Sequence, residues 1–131
     1  MNLIMIGIMT DNLSFGHIHD VYIAYEDDPS KGKSRPVLVV KEKNDLYVIL
    51  QVTSVAPSTE FQKATRYKII DWRESGLDVE SYVKLYPKDY RTVDSNAFQN
   101  YRGCFTDKDK LGFKNKIKET AKFLEDNPQY K

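Results

Sequence analysis

The sequence predicts an α+β protein that is mainly β: a small, strongly bent antiparallel β-barrel followed by one C-terminal α-helix. Up to residue 105, short runs rich in β-branched and aromatic residues alternate with turn clusters. After that point the apolar residues take up helical spacing. Because no repeat, linker or low-complexity tract divides the chain, we expect one domain over residues 1–131, with its core at about 17–125.

Six short strands are expected in the first part of the chain. Pro36 donates no amide hydrogen bond, so it is expected at the start or at an open edge of the second strand. The expected strands are residues 20–25, 36–40, 46–54, 66–72, 81–86 and a short sixth at 101–105. The polar segment 55–65 is predicted to be a loop, and Gly76 to lie in a turn. The apolar residues 1–9 are interpreted as an additional strand or a packed arm.

One helix is predicted between Thr106 and Pro128. Thr106 and Asp109 resemble a capping box, with Asp in place of the usual Glu, and Pro128 marks the stop. The apolar face of this helix consists of Phe113, Ile117, Ala121 and Leu124. A neighbouring stripe, interpreted as a solvated face or as a surface for RNA or a partner, consists of Lys110, Lys114, Lys118 and Lys122.

The composition is that of a globular chain. Charged residues make up 30% and hydrophobic residues 40%, which excludes a disordered or collagen-like protein. The net charge of +1 does not by itself require a nucleic-acid partner, although the part from Lys84 onward is basic. The single cysteine, Cys104, allows no intrachain disulfide, and no apolar run approaches the roughly 20 residues of a membrane span. We therefore expect a soluble, cytoplasmic protein.

Several familiar catalytic motifs are missing from the sequence. It contains no GxxxxGK[ST] or GxGxxG pattern, so we expect no nucleotide cradle and no cofactor. The two histidines, His17 and His19, are expected on opposite faces of one strand, and we assign no metal site to them. No serine lies in a nucleophile-elbow context.

Polar residues instead mark the ends of two neighbouring strands. Arg35 directly precedes an apolar strand, and Thr53 and Ser54 end the next one. If these strands are antiparallel neighbours, the guanidinium and the two hydroxyls lie at the same edge of the sheet. Arg offers a planar fork of charge-assisted donors and the hydroxyls add short bonds, so this group suits a phosphate.

In order and spacing, several segments resemble the MazF/PemK family of toxin endoribonucleases. The first two segments are DVYIAYEDDPSKGKSRPVLVV and VILQVTS, with Arg-Pro before an aliphatic run and Thr-Ser at a strand end. The others are DWRESGLDVESYVKL, RTVD and RGCFTDKDK. The resemblance covers about residues 20–124.

This resemblance implies a bent SH3-like barrel with a terminal helix, usually a homodimer, in a type II toxin–antitoxin system. It implies metal-independent cleavage of single-stranded RNA by the adjacent 2′-hydroxyl, which leaves a 2′,3′-cyclic phosphate. Arg35 matches the catalytic arginine before proline, Thr53 the catalytic threonine, and Lys84 lies near a functional arginine position. The implied partners are RNA and a cognate antitoxin, with no direct DNA binding by the toxin alone and no membrane.

The general base is not assigned by this comparison. The family's Glu before Arg-Pro has no counterpart, because this loop is shorter and carries Ser-Lys-Gly at residues 30–32. Among the nearest carboxylates, Glu26, Asp27 and Asp28, we take Asp28 as the candidate. Lys33, Ser54 and Lys84 are further candidates for catalysis or RNA binding, and tyrosines or Trp72 for base stacking.

Two other functions fit the same sequence. One is a non-catalytic SH3-like module that binds RNA or a peptide, which the missing Glu favours. The other is an unrelated structural protein that shares only a small β-barrel.

Overall fold

The computed structural model describes residues 14–131 and places seven strands and two α-helices in that part of the chain. The strands are β1 (His17–Ala24), β2 (Gly32–Lys43), β3 (Leu46–Thr53), β4 (Arg66–Lys68), β5 (Tyr82–Lys84), β6 (Arg91–Asp94) and β7 (Phe98–Cys104). The helices are α1 (Glu60–Thr65) and α2 (Asp107–Asp126). The interpretation of residues 1–9 as a strand or arm lies outside the described residues.

All strands join one antiparallel sheet in the order β4-β5-β3-β2-β1-β7, with β6 paired to β3. Along a single edge, β3 pairs with β6 through Leu46–Ile49 and with β5 through Val52 and Thr53. A register shift between Val39 and Lys41 interrupts the β2–β3 ladder. The predicted bent antiparallel sheet with a C-terminal helix is confirmed, but the sheet does not close into a full barrel.

Apolar side chains cover both faces of the central strands. Because side chains alternate along a strand, Leu38 and Val40 join the main core and Val37 and Val39 join a second cluster. The four residues Val37–Val40 are at most 1% exposed, which explains the unbroken apolar run. Helix α2 packs on the main core through Phe113, Ile117 and Leu124, with Ala121 partly buried, so the predicted helical face is confirmed.

The start of α2 is fastened to the segment after β4. Thr106 is the N-cap, and its hydroxyl accepts the backbone N–H of Asp109. The carboxylate of Asp109 does not accept the backbone N–H of Thr106. The predicted capping box is therefore only half formed. Instead this buried carboxylate accepts the Tyr67 hydroxyl (2.6 Å) and the backbone N–H groups of Ile70 (2.8 Å) and Asp71 (2.9 Å). Burial raises the pKa of the Tyr67 phenol, and the bond to Asp109 raises that pKa further.

The same bonds explain why β4 is shorter than expected. The strand predicted over 66–72 ends at Lys68, because the amides of Ile70 and Asp71 donate to Asp109 instead of to a neighbouring strand. The strand predicted at 81–86 is confined to Tyr82–Lys84, and the short sixth one begins earlier, at Phe98.

The loop predicted at 55–65 contains helix α1. Its N-cap Thr59 and the third residue Gln62 form a complete capping box. The pattern Thr-x-x-Gln was present in the sequence, so the local signal for this helix existed.

Pro36 lies inside β2, which begins at Gly32, so of its two expected places the strand start is wrong and the open edge is confirmed. The ladder with β3 ends at the Val37–Gln51 pair, which leaves β2 with an open edge from Pro36 back to Gly32. A proline fits there because a strand edge without a partner needs no amide donor.

His17 and His19 lie on one face of β1, so their expected placement on opposite faces is wrong. Residues two apart on a strand point the same way, and the two rings lie 6.2 Å apart. His19 stacks on Phe98 at 4.2 Å. Burial, followed by the neighbouring His17, lowers the pKa of His19.

Within residues 14–131, no group of three or more His, Cys, Asp or Glu side chains is arranged to hold a metal ion. In that same range, no helix combines the length and the apolar character that crossing a membrane requires.

Candidate active site

A cavity of about 350 Å³ opens beside the end of β1, at the side of the sheet where the β2–β3 ladder stops. Its polar lining consists of three cations, two carboxylates and one amide: Arg35, Lys84, Arg91, Glu26, Asp89 and Gln51. The end of β1 and the residue after it complete the wall with Ile23, Ala24 and Tyr25. A volume in this range is typical of small-ligand sites.

Arg35 is positioned by strand pairing on one side and by the buried part of its own strand. It lies opposite Val21 in the β1–β2 ladder, and Val21 belongs to the second cluster. Along β2, alternation places Arg35 on the same face as the buried Val37 and Val39. Its backbone is therefore held by strand pairing, and the half-buried side chain extends from the end of an apolar surface into the cavity.

Arg91 and Lys84 bring two more positive charges to the cavity. Arg91 opens β6 opposite Ile49, and its guanidinium lies 3.9 Å from the carboxylate of Glu26. Lys84 ends β5, and its ammonium has no ion-pair partner within residues 14–131. Three cations against two carboxylates leave the site with a positive charge that favours an anionic ligand.

The carboxylate of Glu26 reaches the cavity from the loop after β1. Its side chain is 91% exposed, so it is free to approach a ligand that enters beside Arg35. Asp89 reaches the cavity from a short 3₁₀ turn at Pro87–Asp89. The site thus combines donors for a phosphate with two oxygen acceptors for a proton.

Of the candidates from the sequence, Arg35 and Lys84 are brought together in this cavity. Thr53 lies at the end of β3, on the same face as the lining residue Gln51, but is not itself part of the lining. It pairs with Tyr82, and its hydroxyl accepts the backbone N–H of Val55 at 3.2 Å. Thr53 thus lies two residues further along β3 than Gln51, next to the cavity but outside its lining.

The remaining candidates lie outside the lining. Asp28 is occupied within its own loop, where its carboxylate accepts the hydroxyl and the backbone N–H of Ser30. Lys33 is exposed on β2 opposite Ile23, and Ser54 is exposed just after β3. Trp72 packs against the main core with the Arg73 guanidinium 4.7 Å above its ring, so it does not face the cavity.

Four polar lining residues have no role assigned from the sequence: Glu26, Gln51, Asp89 and Arg91. Glu26 is one of the three carboxylates nearest to Arg35 in its loop, and Arg91 opens the RTVD segment, so the sequence holds a signal for both. Gln51 and Asp89 had none, because only the folded sheet brings them near Arg35.

Comparison with known proteins defines the class of fold. No protein-family model and no curated protein matches this sequence. Solved structures do match, and they include the toxin MazF-mt6 and a MazE–MazF structure, so the chain has the MazF-like fold.

Three of these structures illustrate the likeness. An endoribonuclease from a mycobacterial species, solved with its cognate antitoxin, has a TM-score of 0.58 at 15% identity and covers 89% of this chain and 98% of its own. The Mycobacterium tuberculosis toxin MazF-mt6 has a TM-score of 0.58 at 16% identity, with coverage of 79% and 94%. The Deinococcus radiodurans MazE–MazF structure has a TM-score of 0.55 at 17% identity, with coverage of 87% and 96%.

Proposed function

We propose that this chain is the toxin of a type II toxin–antitoxin system and a metal-independent endoribonuclease that cleaves single-stranded RNA. The observation that carries the proposal is the cavity in which Arg35, Lys84 and Arg91 meet the carboxylates of Glu26 and Asp89. The MazF-like fold supports the same function, since proteins with this fold include endoribonucleases.

The proposed reaction uses a nucleophile that belongs to the substrate. The 2′-oxygen bonds to the adjacent phosphorus, and the bond from phosphorus to the 5′-oxygen breaks. The products are a 2′,3′-cyclic phosphate and a 5′-hydroxyl. The protein must accept the proton of the 2′-hydroxyl, stabilise the extra negative charge on the phosphate oxygens and supply a proton to the leaving oxygen.

Two of these tasks, stabilising the phosphate oxygens and accepting the proton of the 2′-hydroxyl, have candidates in the cavity. Arg35 and Arg91 stabilise the phosphate oxygens, because a guanidinium donates two parallel charge-assisted bonds. Lys84 adds a third positive charge. Glu26, or else Asp89, accepts the proton of the 2′-hydroxyl, because both carboxylates line the cavity. Tyr25, which is 38% exposed and also lines the cavity, offers a ring for base stacking.

Thr53 orients the substrate from the neighbouring position on β3. A rotation of its side chain would exchange the bond from Val55 for one to a phosphate or a 2′-hydroxyl. Asp28, Lys33 and Ser54 stay predictions as further contacts along the approach to the cavity.

The proposed partner is a small cognate antitoxin that covers the active-site cavity and blocks the binding of RNA. Two of the matched structures are complexes of this kind, one mycobacterial and one of Deinococcus radiodurans, which supports the assignment. We further propose a homodimer in the cytoplasm that does not bind DNA without the antitoxin.

A non-catalytic module that binds RNA or a peptide is the second candidate function. The observation in its favour is that Thr53 is absent from the cavity lining. The two functions differ in their products, because a module leaves bound RNA without cyclic-phosphate ends.

Substitution of Arg35 and of Thr53 tests the site. We expect Arg35→Ala to lower the cleavage rate by about 100-fold or more, since loss of one preorganised donor costs about 2.7–4 kcal/mol in the transition state. Thr53→Ala is expected to remove most of the activity as well. Both variants should unfold at nearly the wild-type temperature, because both side chains lie at the surface end of the sheet.

Arg73→Ala is the matched control. Arg73 is exposed and stacks on Trp72 away from the cavity, so its loss should leave cleavage intact. Full activity of both Arg35→Ala and Thr53→Ala would refute the proposed site.

A further inference from the structure

Two further cavities follow the active-site cavity in series, each sharing lining residues with the one before it. A cavity of about 150 Å³ beside α1 has Lys84 and Asp89 in common with the active site. A third, of about 470 Å³, shares Arg66 with the second. We call the third cavity the basic groove; its lining consists of Ala56, Pro57, Lys63, Arg66, Tyr67, Lys68, Tyr82 and Lys116.

Two cations face each other where the cavities join. Arg66 and Lys84 are direct partners in the β4–β5 ladder, and both line the cavity beside α1. Like charges directly opposite each other destabilise a sheet, and the Asp89 carboxylate that lines this cavity offsets only one of the two charges, so a further negative group between them would relieve an unfavourable contact. The Arg66 guanidinium donates to the carbonyl of Val55 at 3.0 Å, which holds its fork in place. This pair is therefore suited to a bridging phosphate.

The basic groove beyond this pair still has available positive charge. Lys63 is exposed, and its ammonium has no partner within residues 14–131. Lys116 donates to the carbonyl of Lys63 at 2.9 Å, which places its charge at the same wall, and its ammonium also lies 3.8 Å from the carboxylate of Glu119. Lys68 is less available, because its ion pair with Glu80 at 2.9 Å raises the pKa of Lys68 and lowers that of Glu80.

The aromatic residues of the groove do not offer free rings. Tyr67 is 6% and Tyr82 8% exposed, and their hydroxyls donate to Asp109 and Glu80. A peptide docks chiefly through aromatic or aliphatic anchors that fill pockets, and base recognition needs stacking surfaces or base-edge contacts. Cations without accessible rings instead suit a phosphate backbone of any sequence.

We propose that the basic groove binds the phosphates of an RNA strand that leaves the active site across Arg66 and Lys84. Lys63, Arg66 and Lys116 contact nucleotides outside the cleavage site, so long strands bind more tightly than short ones regardless of sequence. This inference rests on the proposed function, since it names a second contact region for the same substrate.

A binding measurement that involves no cleavage tests the groove. The probes are fluorescent 2′-O-methylated RNAs of about four and about twelve nucleotides, which lack the 2′-nucleophile and span the common range of strand-binding sites. We expect Lys63→Gln/Arg66→Gln to weaken binding of the long probe by about tenfold. The slope of the logarithm of the binding constant against the logarithm of the salt concentration should become shallower by about 0.7 per lost phosphate contact, or about 1.4 in all. The short probe should bind as it does to the wild type.

Two further variants keep the test decisive. Lys63→Gln alone removes an exposed charge from α1 and reports on the groove even where the change at Arg66 disturbs β4. Lys43→Gln removes an exposed charge from the end of β2 outside all three cavities, and should not alter either affinity.

The outcomes separate this inference from the proposed function. Unchanged affinity of the long probe in both groove variants would overturn the groove, even with an active enzyme. An Asp/Glu-rich peptide whose binding is lost in the variants while the long RNA still binds would assign the groove to a protein partner and also overturn it. Loss of long-probe affinity in a chain that cleaves no RNA would support the groove while the proposed catalysis fails.

Discussion

Arg35 is held at the boundary between a buried apolar surface and an open cavity. Val37 and Val39, on the same face of β2, are fully buried in the second cluster, which fixes the strand that carries the guanidinium. Pro36 has no amide hydrogen to donate, so it fits the open edge of β2 beside Arg35. The position of this arginine thus follows from its apolar neighbours, and its charge is placed where water and a substrate can reach it.

At this scale the identity of the proton acceptor makes a sharp prediction. We expect Glu26→Gln to lower cleavage by about 100-fold or more, because a positioned general base contributes roughly 10²–10⁴ in rate. Asp28→Asn is the matched control from the same loop, and should change cleavage little, since Asp28 is bonded to Ser30 and lies outside the cavity lining. Single-turnover cleavage rates of the two variants provide the measurement.

The reverse pattern, with Asp28→Asn inactive and Glu26→Gln active, would restore the acceptor expected from the sequence. Equal activity in both variants would move the role to Asp89.

The residues of the site differ in how far the sequence could predict them. Arg35 and Lys84 could be found because each lies in or beside a strand that matches the family pattern. Gln51 and Asp89 could not, since they become neighbours only when β3 and the turn at Pro87–Asp89 pack around the same cavity. Sequence order does not show which way a loop carboxylate points, so it cannot separate Asp28 from Glu26.

At the scale of elements, the first turn of α2 is bonded to the segment after β4 through one buried carboxylate. Asp109 accepts three donors from the chain between Tyr67 and Asp71, and the Thr106 hydroxyl donates to the Asp71 carboxylate at 2.7 Å. These bonds end β4, orient the start of the helix and satisfy amides that a longer strand would have used. The main core is therefore assembled with α2 in one defined position.

We expect Asp109→Ala to destabilise the protein strongly. It leaves the buried Tyr67 hydroxyl and the partly buried amides of Ile70 and Asp71 without an acceptor, and a fully buried unsatisfied donor costs about 1–3 kcal/mol. A loss of about 3 kcal/mol or more in the free energy of unfolding, measured by urea denaturation, is the expected result. The control is Asp107→Ala in the same helical turn, which is exposed and should lose only about 0.3–1 kcal/mol of interaction with the helix dipole.

Equal destabilisation by the two substitutions would mean that the three bonds to Asp109 do not hold the helix.

The elements also show which structural features a sequence conceals. The strands at Leu46–Thr53 and the helix at Asp107–Asp126 were predictable because their apolar patterns are long and regular. Strand β6 has only four residues and is formed by pairing with β3, some 45 residues earlier in the chain. Local preferences carry little information about such a contact. Helix α1 is a different case. The sequence contains its capping box, but the polar residues around it favour a loop.

At the scale of the whole molecule, a nearly neutral chain concentrates its positive charge along connected cavities. The net charge is +1, yet the three cavities are lined by seven cations and two carboxylates. Helix α2 covers one face of the sheet, and the second cluster on the other face leads to Arg35. Such local concentration steers a polyanion toward one region of the surface. The overall charge, which is all that composition reveals, conceals this feature.

The proposed activity of this protein is cleavage of RNA in this cavity, through attack by the 2′-hydroxyl of the substrate. The most direct measurement treats a long unstructured RNA with the folded, antitoxin-free protein in EDTA and identifies the chemical groups at the new ends. We predict cleavage with 2′,3′-cyclic phosphate and 5′-hydroxyl ends, and no cleavage of the 2′-deoxy strand of the same sequence. Intact RNA, or cleavage that leaves 5′-phosphate ends, would contradict it.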